Sequence, residues 1–323
     1  MSKPKYCVVG VGPVGGILTA HLALKGADVT AVDIFKEHLD RMKERGLKVE
    51  GAADIDVKVN KIFYSLEEAG DAGEKFDAIF VCVKATVIKF IAPLLSAVLA
   101  DGGVGISWQN GLDTEAGLLE VLGPDHTLRG AVNYAGNLTG LGSVRMTFFH
   151  PPNYLGPAEK NRTGASEAAR RLALQLSDFG LATEYTDDIQ RHVWAKAIRN
   201  AALMPVSALT GMDMAQVMDS ERSLFLVEEL LKESLNVSAK VGHVFDRKFY
   251  DETLEYYRGA GHHMPSMRGD VEDGRRTETE FLNHRIAEYG AMHGVDAPYN
   301  RALANLLLCI DELASQRQRK AEK

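Results

Sequence analysis

Tyr6-Cys7-Val8-Val9-Gly10-Val11-Gly12-Pro13-Val14-Gly15 is the stretch that decides the fold. Four residues of strand character run into glycines spaced G-x-G-x-x-G, and an amphipathic stretch follows as far as Gly26. Val29-Thr30-Ala31-Val32 is a second apolar run, and it ends on Asp33. The order is strand, tight turn, helix, strand, acid. That arrangement holds a dinucleotide by its pyrophosphate and its adenosine ribose. Gly10 serves the turn, Gly12 leaves the backbone open to the pyrophosphate, and Gly15 lets the helix pack on the sheet. Pro13 and Val14 open the helix, where free N–H groups and the positive helix end receive phosphate and proline is tolerated. A carboxylate at Asp33 suits the 2′- and 3′-hydroxyls of adenosine ribose and repels a 2′-phosphate, so NAD is expected ahead of NADP. Two alternatives stand beside this. Asp33 can cap the helix that begins near Phe35, and Lys36 can reach a 2′-phosphate.

Working outward, Phe76 to Val83 is nearly continuous in apolar residues, as suits a parallel strand covered on both faces. Lys84 follows it directly. Val104 to Trp108 reads as another strand, with Gln109-Asn110-Gly111 as the turn after it. Open α/β sheets bind ligands beyond the carboxyl ends of their strands, so Lys84 and Asn110 fall where chemistry is expected. Further strands are read at 129–133 and 144–149, joined by a glycine-rich connection over 136–142, and a helix at 166–179. From Ile189 the pattern turns helical, with helices expected at 193–209, 222–241, 245–257, 277–292 and 299–316. The expected architecture is α/β: a Rossmann dinucleotide-binding domain over 1–188, then a helical substrate-binding and dimerisation domain over 189–323.

Lys196 and Asn200 stand four apart in Val193-Trp194-Ala195-Lys196-Ala197-Ile198-Arg199-Asn200, on one face of a helix. A lysine so placed can protonate a carbonyl oxygen as hydride reaches the carbon, or simply snorkel to solvent. A second polar cluster holds His263, Ser266 and Glu278. Ser266 can hold a substrate carboxylate or cap a helix. Glu278 can orient the lysine or sit as a first-turn acid. His262 and His263 lack a third spaced ligand, so no metal is expected.

Bulk properties narrow the classes. The chain of 323 residues carries a formal charge of -7, which gives no field toward nucleic acid or an anionic membrane. Three scattered cysteines, Cys7, Cys82 and Cys309, fit a reducing, cytoplasmic setting, and no apolar run is long enough for a membrane span. The basic run at 317–320 reads as a solvated helix end.

Together these segments resemble the ketopantoate reductase (2-dehydropantoate 2-reductase) family over nearly the whole chain. The ordered landmarks are GVGPVG at 10–15, VKA at 83–85, QNG at 109–111, WAKAIRN at 194–200, and SMRGD with TE across 266–278. The resemblance implies reduction of a 2-oxo acid with a nicotinamide cofactor and a helical second domain of the 6-phosphogluconate dehydrogenase type. It implies that Lys196 matches the catalytic lysine and Glu278 the functional glutamate. Lys84 then matches the lysine on the cofactor side, and Asn110 the asparagine near nicotinamide and substrate. Asn200 and Ser266 match substrate contacts. His263, in the same polar cluster as Ser266, is a further substrate-binding candidate of this chain and not part of the resemblance. The family carries further asparagines where this chain has Met204 and Met214, and an Asn-Gly pair where it has Asn283-His284. Those departures retain the hydride machinery and alter the substrate lining, which points to another 2-oxo acid or to oxidation of a 2-hydroxy acid. A homodimer is expected. Two rival readings are a dehydrogenase of the same fold acting on a 3-hydroxy acid or sugar acid, and a non-catalytic NAD-binding sensor.

Overall fold

The computed structural model describes residues 3–321, with side chains to Arg317. The basic run expected as a solvated end therefore lies outside the described side chains beyond that point. The chain divides into two compact units, the first ending at His192 and the second beginning at Val193.

In the first unit the strands are β1 (Lys5–Val9), β2 (Asp28–Val32), β3 (Leu47–Gly51), β4 (Ile55–Val57), β5 (Lys61–Phe63), β6 (Phe76–Val81), β7 (Leu99–Ser107), β8 (Thr127–Ala131), β9 (Tyr134–Gly140), β10 (Ser143–Phe149), β11 (Asn153–Pro157) and β12 (Thr183–Tyr185). The helices among them are α1 (Pro13–Leu24), α2 (Lys36–Arg45), α3 (Leu66–Asp71), α4 (Ile88–Val98), α5 (Ala116–Leu122) and α6 (Thr163–Asp178). Eight strands form one sheet in the order β12-β11-β8-β7-β6-β1-β2-β5. It is parallel except where β11 meets β8.

Alternation along β1 explains why its strands are so apolar. Tyr6 and Val8 enter a core with α1 and α6, while Cys7 and Val9 enter the opposite core with α3, α4 and α5. With both faces covered, no position on a central strand is left for a polar residue to face water.

The glycine-rich stretch at 136–142 is not a plain connection. It forms β9, paired antiparallel with β10, in a second sheet ordered β4-β3-β10-β9. Gly136 fits because an added Cβ would meet the Arg145 carbonyl oxygen, so close backbone approach rather than a loose loop explains this glycine. Strands β5, β11 and β12 and helices α3 and α5 are further elements that periodicity alone did not reveal. Most are short, and a run of three residues shows no period.

The second unit holds α7 (Ile189–Thr210), whose first residues belong to the first unit, and then α8 (Met214–Asp219), α9 (Glu221–Lys240), α10 (Arg247–Gly259), α11 (Ser266–Glu272), α12 (Asn283–Met292) and α13 (Pro298–Ala321). The helix expected from residue 277 begins only at Asn283, after a separate turn of 3-10 helix at Thr279–Phe281. Thr277 is the cause: its N–H and hydroxyl both donate to the Asp311 carboxylate, at 3.0 and 2.8 Å, and hold the segment off a helical path. The polar stretch between α10 and that turn contains α11, too short to register as a period.

Candidate active site

The glycine turn reproduces its expected geometry. Gly10 has φ +90°, and an added Cβ would sit 2.7 Å from the Val83 nitrogen. At Gly15 a Cβ would fall on the carbonyl oxygen of Gly10, so the helix could not approach. Gly12 differs from both: a Cβ there meets nothing within 4 Å. It is the N-cap of α1, with Pro13 as first helical residue. Open space at the N-terminus of a twelve-residue helix, floored by bare backbone, is a cradle that fits a pyrophosphate.

Asp33 closes the far side of this turn. One carboxylate oxygen accepts from the Val11 N–H at 2.6 Å, and the other from the Phe35 N–H at 3.0 Å. The N-cap of α2 is Phe35, without a side-chain cap bond, so Asp33 is not the capping residue of that helix. A carboxylate offers about four lone-pair sites, and the two backbone bonds leave acceptor capacity for ribose hydroxyls. Lys36 lies with its ammonium 5.8 Å from the Tyr64 ring centroid.

Lys84 and Asn110 emerge just beyond β6 and β7, and one buried network joins their turns. The Gln109 side chain donates to the Val83 carbonyl at 2.7 Å, and Ser107 donates to Gln109 at 3.2 Å. The Trp108 indole donates to the Tyr134 hydroxyl at 2.9 Å, which donates to the Val14 carbonyl at 3.2 Å. The turn carrying Asn110 is thereby tied to the start of α1.

In the second unit, Lys196 and Asn200 are half-buried, one turn apart on α7. Arg199 between them is turned to other partners: its Nε donates to the Thr253 hydroxyl at 3.4 Å, and its guanidinium lies 4.7 Å from the Phe249 ring centroid. Pro205 lies inside α7 and has no N–H for the carbonyl four residues back, that of Ala201. Asn283 supplies the missing donor, at 2.8 Å. The same amide donates to Asn300 at 2.9 Å. A proline in one helix and an asparagine at the start of another thus join the segment after Glu278 to the residue after Asn200.

Glu278 is half-buried at the N-cap of the 3-10 turn. Its neighbour Thr279 donates to the Met267 sulfur at 3.9 Å, which brings α11 against this turn. Ser266 is the first residue of α11 and is exposed; Pro265 holds the N-cap position, so Ser266 does not cap. Met204 and Met214 are both buried. The Met214 N–H donates to the His263 carbonyl at 3.1 Å, so those two positions are neighbours. Burial holds the His263 imidazole below its ordinary pKa. Among the described residues no group of histidine, cysteine and acidic side chains can hold a metal ion.

The ketopantoate reductase PanE/ApbA model matches residues 6–160, and the ketopantoate reductase PanE/ApbA C-terminal model matches residues 188–310. The chain belongs to the ketopantoate reductase family. A 2-dehydropantoate 2-reductase of Archaeoglobus fulgidus is 31% identical over 95% of this chain and 98% of the relative, and one of Pyrococcus horikoshii is 26% identical over 96% and 98%. Among solved structures, a 2-dehydropantoate 2-reductase from Geobacter metallireducens superposes with a TM-score of 0.85 at 25% identity, covering 94% of this chain and 98% of that one. A D-mandelate dehydrogenase with NADH and anilino(oxo)acetate shares the fold, with a TM-score of 0.86 at 22% identity, covering 96% and 99%. The protein is thus an NAD(P)-dependent oxidoreductase with the α/β fold of the ketopantoate reductases.

Arg129 and Glu115, both almost fully buried and 3.1 Å apart, belong to none of the motifs. The available signal was an arginine inside Thr127-Leu128-Arg129-Gly130-Ala131, a run that otherwise reads as a covered strand. A charge there requires a buried partner.

Proposed function

We propose that this ketopantoate reductase family member interconverts a small 2-oxo acid and its 2-hydroxy acid, with NAD as the preferred cofactor. The observation that carries the reading is α7, which sets Lys196 and Asn200 side by side and half-buried. When bound, the nicotinamide dinucleotide supplies or accepts the hydride at C4. Lys196 gives the proton to the carbonyl oxygen in reduction and takes it back in oxidation, and its charge stabilises the developing alkoxide. Ser266 and Asn110 position the carboxylate or its neighbouring oxygen, Asn200 contacts the substrate, and Glu278 orients the site. Gly10, Gly12, Pro13, Val14 and Gly15 form the pyrophosphate cradle, Asp33 binds the adenosine ribose, and Lys84 stands on the cofactor side.

Met204, Met214 and His263 line the substrate position. Thioethers in place of amides remove hydrogen-bonding groups, which favours an acid with an apolar side chain over one that presents a hydroxyl. NAD preference rests on Asp33, whose charge opposes a 2′-phosphate. The three cysteines are free, which fits a cytoplasmic enzyme.

An absorbance assay at about 340 nm (the NADH band) tests the chemistry. It compares NADH with NADPH against ketopantoate and apolar 2-oxo acids. The expected result is faster NADH-linked turnover of an apolar 2-oxo acid, with a loss of about 10²- to 10⁴-fold in kcat on Lys196→Ala. Turnover unchanged by that substitution would remove Lys196 from its role.

A homodimer accompanies this reading. Leu306, Cys309 and Leu313 stand exposed along one stripe of α13, at spacings of three and four. An apolar helical stripe of that spacing suits a second copy. Light scattering is expected to give twice the 35.3 kDa of one chain, and Leu306→Glu to give single chains.

A further inference from the structure

The Asn110 turn is held by a side chain that no motif includes. Arg129 lies in β8 with 2% exposure. Its Nη1 lies 3.1 Å from the Ser107 carbonyl oxygen, 2.9 Å from that of Gln109 and 2.6 Å from that of Gly130, which share its two hydrogens, and its Nη2 donates to the Gly111 carbonyl at 2.9 Å. The carbonyls of Gln109 and Gly111 bracket Asn110. Both peptide planes therefore converge on one rigid fork, and the direction in which the turn presents Asn110 is set by it.

Glu115 balances the charge. One of its oxygens lies 3.1 Å from Arg129 Nε, and the other accepts from the Gln190 side chain at 2.6 Å. Thr114 and Ser107 share a hydroxyl hydrogen bond at 2.7 Å beside them. Through Gln109 and the Val83 carbonyl, the same network reaches the residue before Lys84.

Stability is a weak reason for such a pair. A buried ion pair is often matched or exceeded by apolar residues of similar volume. Geometry is the stronger reason, because only a guanidinium offers five coplanar N–H donors that can span several carbonyls at once.

We infer that Arg129, held in place by Glu115, is a positioning residue that fixes Asn110 for the reaction. This rests on the proposed role of Asn110 beside nicotinamide and substrate.

Arg129→Lys keeps the charge opposite Glu115 and loses the fork. Hydrogen exchange of the full-length protein is expected to show amides at 108–114 exchanging roughly ten-fold faster or more, with those at 10–16 unchanged. With NADH and the fastest oxo acid of the panel, kcat is expected to fall by about 10- to 100-fold with little change in KM. Since Arg129 acts through Asn110, the double variant R129K/N110A should be no slower than N110A by more than about two-fold. The variant R129M/E115L, which removes both charges together and so leaves no unpaired buried ion, should show the same faster exchange and slower turnover. Wild-type exchange at 108–114 in R129K overturns the inference, and so do losses that multiply in the double variant. Wild-type turnover by N110A would instead sink the role proposed for Asn110, and the positioning role with it. That outcome differs from a slow N110A whose loss multiplies with R129K, which would sink the inference alone.

Discussion

At the residue scale, the glycines of the first turn are not interchangeable. Gly15 is needed for the fold, because a Cβ there strikes the Gly10 carbonyl, whereas Gly12 faces open space. The two roles separate by experiment. Gly12→Val should leave the melting temperature of the ligand-free protein near that of the wild type and, if the proposed pyrophosphate cradle is right, lower NADH affinity by at least about ten-fold, since a side chain would fill it. Gly15→Ala should lower the melting temperature itself, because helix and strand must separate to admit the methyl group. Calorimetry and fluorescence titration with NADH measure both. Equal loss of stability in the two variants would contradict this division of roles. Asp33 shows the same economy: the acid that sits where ribose is expected also pins the turn through the Val11 N–H.

At the element scale, α7 depends on a repair made from outside it. Pro205 leaves the Ala201 carbonyl without its helical donor, and Asn283 provides one. Asn283 is fully buried, and through Asn300 it reaches the Glu233 carboxylate, which accepts from Asn300 Nδ2 at 2.9 Å. Glu233 also accepts the Tyr299 and Asn300 N–H groups, both at 2.9 Å, and so caps the start of α13. Asn283→Leu should cost about 1–3 kcal/mol, the desolvation penalty of a buried carbonyl left unpaired. Urea unfolding measures it. In the variant P205A/N283L the helix regains its own N–H donor, and part of that loss should return. A double variant no more stable than N283L would show that Ala201 is not the acceptor that matters.

At the scale of the whole molecule, stability should depend on pH through buried imidazoles. His21, His38 and His192 are all held below the ordinary histidine value of 6.5, chiefly by burial. His38 must also be neutral at Nδ1 to accept the Gly142 N–H at 3.1 Å. A depressed folded-state pKa means that the unfolded chain binds protons first as pH falls. The contribution is therefore complete above 6.5 and is lost as pH drops through the folded values below it. His262 works the opposite way, raised by its bond to Asp213, but it is solvent-exposed and its effect is screened. The urea midpoint should be flat from about pH 7 to 8 and decline toward pH 5, and H21Q/H38Q should flatten that decline. A midpoint independent of pH between those limits would refute the account.

The sequence by itself determined whatever one element encodes. The G-x-G-x-x-G turn, Asp33 at the end of β2, the apolar run of β6 and the face shared by Lys196 and Asn200 all follow from spacing within a strand or a helix. So does the change to helical structure near residue 189. The tertiary structure alone decided what joins distant elements. Arg129 meets Gly111 across 18 residues, and Asn283 meets Ala201 across 82. The second sheet pairs β3 with β10, nearly a hundred residues away. The reason is physical: periodicity records which side of an element is buried, while the partner of a buried charge or an unpaired carbonyl is chosen by packing. Nothing in the local run around Arg129 names Glu115, and nothing near Pro205 names Asn283.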